Sequence, residues 1–233
     1  MIDLLPELQN NLHQVNENIK TAVAVSKRRL KEITLLAVSK NHSLEKIDFF
    51  REQGLEDFGE NRVQELVDKY SKRPEISWHF IGHLQRNKVK YLVKMENCNL
   101  IHSVDSWRLA EEINKRAQEN QRKMNVLLEV NIAGDKNKYG ISSKEVYDFV
   151  REAGLLKNIK IRGLMTIVPY VDNPEEVRPY FKKMAVLKKE MRDRGIDNIE
   201  ELSMGMSNDY QIAIEEGATI VRIGSSLFGR RGE

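Results

Sequence analysis

The sequence predicts an α/β fold, a single (β/α)8 barrel with an additional N-terminal helix. Three observations carry the prediction. Eight short apolar runs alternate with helical patterns, as repeated strand–helix units around a parallel sheet require. No stretch rich in Pro, Gly or Ser divides the units into groups, so residues 1–233 read as one domain. Eight units and one extra helix fit within 233 residues. An open, doubly wound sheet is the competing arrangement. Its dinucleotide-binding form needs Gly-x-Gly-x-x-Gly in the first strand–helix turn, and that fingerprint is missing here.

The elements follow in order. Over residues 4–29, Leu5, Leu8, Leu12, Val15, Ile19 and Val23 recur at spacings of three and four, so residues 1–30 are assigned to a helix packed on the barrel. Residues 33–38 form a first strand apolar enough to be buried on both faces. Ser43 caps a helix with Leu44, Ile47 and Phe50 on one face and Gly54 past its end. Residues 57–60 make a second strand, before a helix carrying Val63, Leu66, Val67 and Tyr70. Strand 78–81 precedes a helix over 88–95. Strand 100–104 precedes a helix over 107–118, capped by Asp105 or Ser106. Strand 126–132 is the clearest of the set. Ser142 and Glu145 have the spacing of a capping box for a helix through Val146, Phe149 and Val150. Residues 159–168 read as strand. Asn173-Pro174-Glu175-Glu176 starts a helix that runs to Gly195, with Pro179 bending or breaking its first turns. Strand 199–204, a helix over 207–216 capped by Ser207, and strand 219–223 complete the eight units.

In such a barrel the chemistry belongs at the C-terminal ends of the strands. The first strand ends in Ala37-Val38-Ser39-Lys40. Lys40 is either the first solvated residue past the strand or an amine whose pKa burial depresses enough for Schiff-base chemistry. Barrels of this kind often bind phosphate at the loops after strands seven and eight. After strand seven stands Ser203-Met204-Gly205-Met206-Ser207-Asn208-Asp209 and after strand eight Gly224-Ser225-Ser226, small-residue turns through which backbone amides and hydroxyls can reach an anion. Alternation along the last strand puts Arg222 on the same face as Ile220 and Gly224. A buried arginine needs a partner, and two readings stay open: an ion pair with Glu129 or Glu201, or contact with a ring nitrogen of a ligand. One ligand uses all three features, pyridoxal 5′-phosphate, with its aldehyde, phosphate and pyridine nitrogen. An arginine cannot take a proton from that nitrogen, so the ring would remain a weak electron sink.

Composition narrows the classes of function. The formal charge of +3, from 38 basic and 35 acidic residues, calls for no nucleic-acid partner. The single cysteine, Cys98, excludes an internal disulfide and has no metal partner at ligand spacing, so no metal site is expected. No apolar run approaches the ~20 residues of a membrane span, and the opening residues lack a secretory pattern. A cytoplasmic monomer, free of membrane and nucleic acid, is the expectation. Arg86, Lys88 and Lys90 read as a solvated helix face.

Ordered blocks along nearly the whole chain resemble the pyridoxal phosphate homeostasis family, also called the proline synthase co-transcribed family, which is similar to the barrel domain of alanine racemases. The blocks include Ala37-Val38-Ser39-Lys40, Phe58-Gly59-Glu60-Asn61, the run from Trp78-His79-Phe80 to Asn87-Lys88, Lys138-Tyr139-Gly140, Arg162-Gly163-Leu164-Met165, Leu202-Ser203-Met204-Gly205-Met206-Ser207 and Val221-Arg222-Ile223-Gly224. The resemblance implies that Lys40 carries pyridoxal phosphate as a Schiff base, that Met206, Ser207, Gly224 and Ser225 hold its phosphate, that Arg222 meets the pyridine nitrogen, and that Asn61 lies beside the ring. Ser225 stands where many members have threonine, which keeps the hydroxyl. It implies a role in cofactor homeostasis without turnover and with no catalytic residue, the recipients being apo-enzymes. Alanine racemases need a second domain with a catalytic tyrosine, and here the chain stops ten residues after Ile223. A small amino-acid racemase using Lys40 on one face and Tyr139 or His83 on the other is the alternative.

Overall fold

In the computed structural model, which describes residues 5–135 and 137–229, eight parallel strands close into a barrel. In chain order the strands are β1 (Thr34–Val38), β2 (Asp57–Glu60), β3 (Ser77–Phe80), β4 (Cys98–Val104) and β5 (Met124–Asn131), then β6 (Ile141–Ser142), β7 (Ile159–Met165), β8 (Glu201–Met206) and β9 (Ile220–Ile223). The ring runs β1-β2-β3-β4-β5-β7-β8-β9 and closes where Leu36 of β1 lies opposite Arg222 of β9. The short β6 pairs with β5 outside the ring, Val130 opposite Ile141. Inside the barrel, Leu36, Leu100, Leu127, Met165 and Ile220 form one small apolar cluster. The outward faces of the strands build the main core with the helices.

Those helices are α1 (Leu5–Val25), α2 (Leu44–Glu52), α3 (Val63–Lys72), α4 (Val89–Leu92), α5 (Trp107–Glu119), α6 (Val146–Ala153), α7 (Arg178–Asp193), α8 (Tyr210–Glu215) and α9 (Ser225–Phe228). α1 lies on α8 and α9, burying Leu8, Leu12, Val15, Ile19 and Val23; its expected start at residue 4 falls outside the described residues. Two polar bonds set its position: Asn18 donates to the Tyr210 hydroxyl at 2.9 Å, and Asn11 to the Leu227 carbonyl at 3.1 Å. No helix among the described residues is long and apolar enough to cross a membrane.

Several local expectations are corrected. Leu5 is exposed and lies off the buried stripe of α1. Ser142 belongs to β6, and the bond that enters α6 is backbone only, the Glu145 amide donating to the Ser142 carbonyl, so no capping box forms. The expected helix over 88–95 is a 3-10 turn followed by the single turn of α4. Pro179 neither kinks nor breaks α7. A 3-10 turn at Pro174–Val177 comes first and α7 then starts at Arg178, leaving Pro179 in the first turn, where its missing amide costs nothing. β8 extends to Met206, so α8 begins at Tyr210 with Asp209, not Ser207, in the capping position.

Candidate functional site

β1 delivers Lys40 to the C-terminal rim of the barrel. Leu36 points into the barrel, and Lys40 stands two residues past the end of β1, in the turn at the rim. The strand cannot continue beyond it, because Asn41 turns into the left-handed region at φ +61°, a conformation asparagine tolerates better than most residues. Both neighbours of Lys40 are braced by one buried amine. Lys69, on α3, donates at 2.7 Å each to the Ser39 carbonyl, to Glu60 Oε1 and to Glu65 Oε1. Ser39 Oγ donates to the same Glu60 oxygen at 2.6 Å, and the Asn41 amide donates to Glu65 Oε1 at 2.6 Å. Burial pushes the Glu60 carboxyl above its ordinary pKa, against the pull of Lys69. His42 stacks on Phe228 with ring centres 4.5 Å apart, tying the loop after Lys40 to α9.

Sequence reasoning missed this brace. Its signal is a lysine on an apolar stripe: Lys69 stands three residues after Leu66, where α3 should be buried, with Glu65 one turn earlier.

Arg222 is buried inside the barrel, and no ion pair forms to it among the described residues. Both predicted partners are elsewhere engaged or too distant: Glu201 accepts from the Thr219 hydroxyl, and Glu129 acts on Arg222 only through its charge. Instead one terminal guanidinium nitrogen donates to the Ser203 carbonyl at 2.7 Å and to Ser203 Oγ at 2.8 Å, and the other to the Thr166 carbonyl at 2.9 Å. These bonds use at most three of five N–H donors, which leaves donors for a group that only accepts. Burial lowers the Arg222 pKa to about 10, so it stays charged at neutral pH. Burial also raises Glu129 to about 7, helped by the charge of Asp105 and opposed by Arg222.

The loops after β8 and β9 meet each other. The amides of Gly224 and Ser226 both donate to Ser207 Oγ at 3.3 Å, and Ser226 Oγ donates to the Ser207 carbonyl at 3.4 Å. Two amides converging on one oxygen at long distances form a cradle that an anionic oxygen can share. Gly224 lies beside Val38 of β1, where even an added Cβ would make only an ordinary 3.5 Å contact. The Met206 amide donates to Asp209 Oδ1 at 2.7 Å, a bond that shapes the loop. Ser225 is exposed at the start of α9.

Asn61 follows β2 directly, on the opposite side of β1 from β9. It is held by Gly82, whose added Cβ would come within 2.1 Å of the Asn61 carbonyl oxygen, so only glycine allows the two loops to approach this closely. Lys40, Asn61, Ser207 and Gly224 therefore occupy the same rim over the adjacent strands β2, β1, β9 and β8, with Arg222 below them. His83 and Tyr139 also meet, their rings stacked at 3.8 Å, with His83 Nδ1 3.2 Å from Asp105. The arrangement provides an amine, an anion cradle and a buried cationic donor, and suits a ligand carrying a carbonyl, a phosphate and an unprotonated ring nitrogen.

Known proteins match this chain over nearly its whole length. Residues 8–232 match the family described as alanine racemase, N-terminal domain. A pyridoxal phosphate homeostasis protein of Aquifex aeolicus is 48% identical over 225 residues, covering 94% of this chain and 96% of that protein. The bovine protein of the same name is 38% identical, covering 94% of this chain and 86% of its own length. The structure of PipY of Synechococcus elongatus with PLP bound superposes with a TM-score of 0.79 at 33% identity, covering 91% of this chain and all of that one. An alanine racemase of Clostridium difficile shares the fold, with a TM-score of 0.77 at 18% identity, over 97% of this chain and 60% of that one. The chain belongs to the family of the alanine racemase N-terminal domain, among the pyridoxal phosphate homeostasis proteins.

Proposed function

We infer that this chain binds pyridoxal 5′-phosphate on Lys40 and serves homeostasis of that cofactor without turning over a substrate of its own. The observation that carries the reading is Arg222, a buried cation held only by neutral acceptors beneath a rim where an amine and an anion cradle converge. Lys40 is the attachment point, Met206, Ser207, Gly224 and Ser225 receive the phosphate, Arg222 donates to the ring nitrogen, and Asn61 flanks the ring. When bound, the cofactor supplies an aldehyde that an amine can hold reversibly. Residues 1–233 act as one holding unit, a cytoplasmic monomer whose recipients are apo-enzymes.

The tests are direct. The purified, cofactor-loaded chain should show the visible absorption of an imine, and Lys40→Ala should abolish it. Borohydride reduction should leave the label on the Lys40 peptide; an unlabelled Lys40 would sink the reading. Delivery requires that transfer to an apo-enzyme, in the presence of a trap for free cofactor, outrun uptake from solution. Steady exchange of amino-acid Cα hydrogen in deuterated water, lost in Lys40→Ala, would instead favour the racemase reading.

A further inference from the structure

A line of hydrogen bonds crosses the barrel interior from the N-terminal end of β2 to the arginine under the rim. Asp57 Oδ1 lies 3.2 Å from His79 Nε2, and His79 Nδ1 lies 2.9 Å from His102 Nε2. His102 Nδ1 lies 2.9 Å from Ser203 Oγ, which lies 2.8 Å from Arg222. β2, β3, β4, β8 and β9 each contribute one member. His79, His102, Ser203 and Arg222 are all buried, and only Asp57, at the start of its strand, reaches towards solvent.

Both ends fix the direction of the chain. Arg222 can only donate, so Ser203 Oγ accepts from it and sends its own proton to His102 Nδ1. His102 then carries its proton on Nε2 and gives it to His79 Nδ1, and His79 donates from Nε2 to Asp57. At the far end, burial alone would raise the Asp57 carboxyl, but the bonds it accepts from His79 and from the Ser77 hydroxyl hold it below its ordinary value, so it stays an acceptor. Burial drives the His102 pKa well down, with His79 and Arg222 adding to the effect, in keeping with a neutral ring. The opposite polarity would need an extra proton and would leave the Ser203 hydroxyl with no acceptor beside a cation, a costly arrangement in a buried site.

We propose that His102 and His79 are positioning residues for the cofactor: they pin the Ser203 hydroxyl as an acceptor, hold the guanidinium plane of Arg222 towards the ring, and end on the Asp57 carboxylate at the far side of the barrel. The carboxylates whose charge acts on Arg222 directly are Asp209 and Glu129. The proposal rests on the binding of pyridoxal phosphate at Lys40. Without His102 the hydroxyl is free to turn its proton towards the ligand and compete with Arg222.

The test uses the cofactor-loaded chain and reads two quantities, the rate of pyridoxal phosphate release and the pH midpoint of the imine absorption. His102→Leu should quicken release at least roughly tenfold, as weakening one hydrogen bond to a charged group implies, and should move the midpoint. His102→Gln, which can accept from Ser203 and donate to His79, should restore both towards the wild-type values. Asp57→Asn keeps an acceptor and removes only the charge; it should move the midpoint although it lies at the other end of the barrel, and it decides the matter if His102→Leu fails to fold. Unchanged release and midpoint in folded His102→Leu, or in Asp57→Asn where His102→Leu does not fold, overturn the relay while the cofactor reading stands. A wild-type chain without an imine band overturns both.

Discussion

Replacing Lys69 by methionine removes the amine that braces both sides of Lys40 and leaves Glu60, with its side chain fully buried, facing no cation. Breaking a buried pair by deleting one partner typically costs about 3–5 kcal/mol, because the remaining charge is stranded out of water. The loss is capped, since Glu60 can take up a proton. Its pKa is already raised by burial with Lys69 present, and rises further without it. A carboxyl whose folded pKa lies above its unfolded value loses stability as pH rises between the two. Lys69→Met should therefore cost about 3–4 kcal/mol at pH 8, or roughly 6–16 °C in Tm for a chain of this size, and clearly less at pH 6. Urea unfolding at the two pH values measures it. Lys69→Met combined with Glu60→Gln should regain more than half of the loss, since the stranded charge is gone. A cost below about 1 kcal/mol, equal costs at pH 6 and pH 8, or no recovery in the double variant would refute the argument that the brace is a buried ion pair.

Three further outcomes are expected. Gly82→Ala would force a methyl group into the Asn61 carbonyl 2.1 Å away; it should destabilise the chain by at least about 2 kcal/mol and weaken pyridoxal phosphate binding in an equilibrium titration. Glu129 carries a folded pKa of about 7, raised first by burial, so its ionisation costs stability as pH climbs from the unfolded value to 7. Glu129→Gln should remove that slope and raise unfolding stability of the cofactor-free chain at pH 8 by up to about 3 kcal/mol. Cys98 is fully buried and burial pushes its thiol to about 12, so thiol reagents at pH 8 should label it only as fast as the chain opens, and label it rapidly in denaturant.

Local pattern alone carried the order of elements, because helix and strand periods are written in neighbouring residues: the stripe of α1, the apolar run of β1 and the alternation that turned Arg222 inward were all legible. So were the strand-end lysine and the two small-residue turns, since both depend on position relative to a strand end. Capping was less legible. Asp209 displaced Ser207 from the capping position of α8 because β8 ran two residues further than its apolar pattern, a choice made by pairing with β9, Met206 opposite Arg222. What only the tertiary structure decided is which distant polar groups meet. Glu60, Glu65 and Lys69 close around Ser39 and Asn41 because α3 packs back over β2 and β3, beside the end of β1. Asp57, His79, His102 and Ser203 line up beneath Arg222 because barrel closure brings five strands to one interior. Neither arrangement has a sequence period. Each exists because buried polar groups must find partners, and in a closed barrel the partners within reach come from other strands.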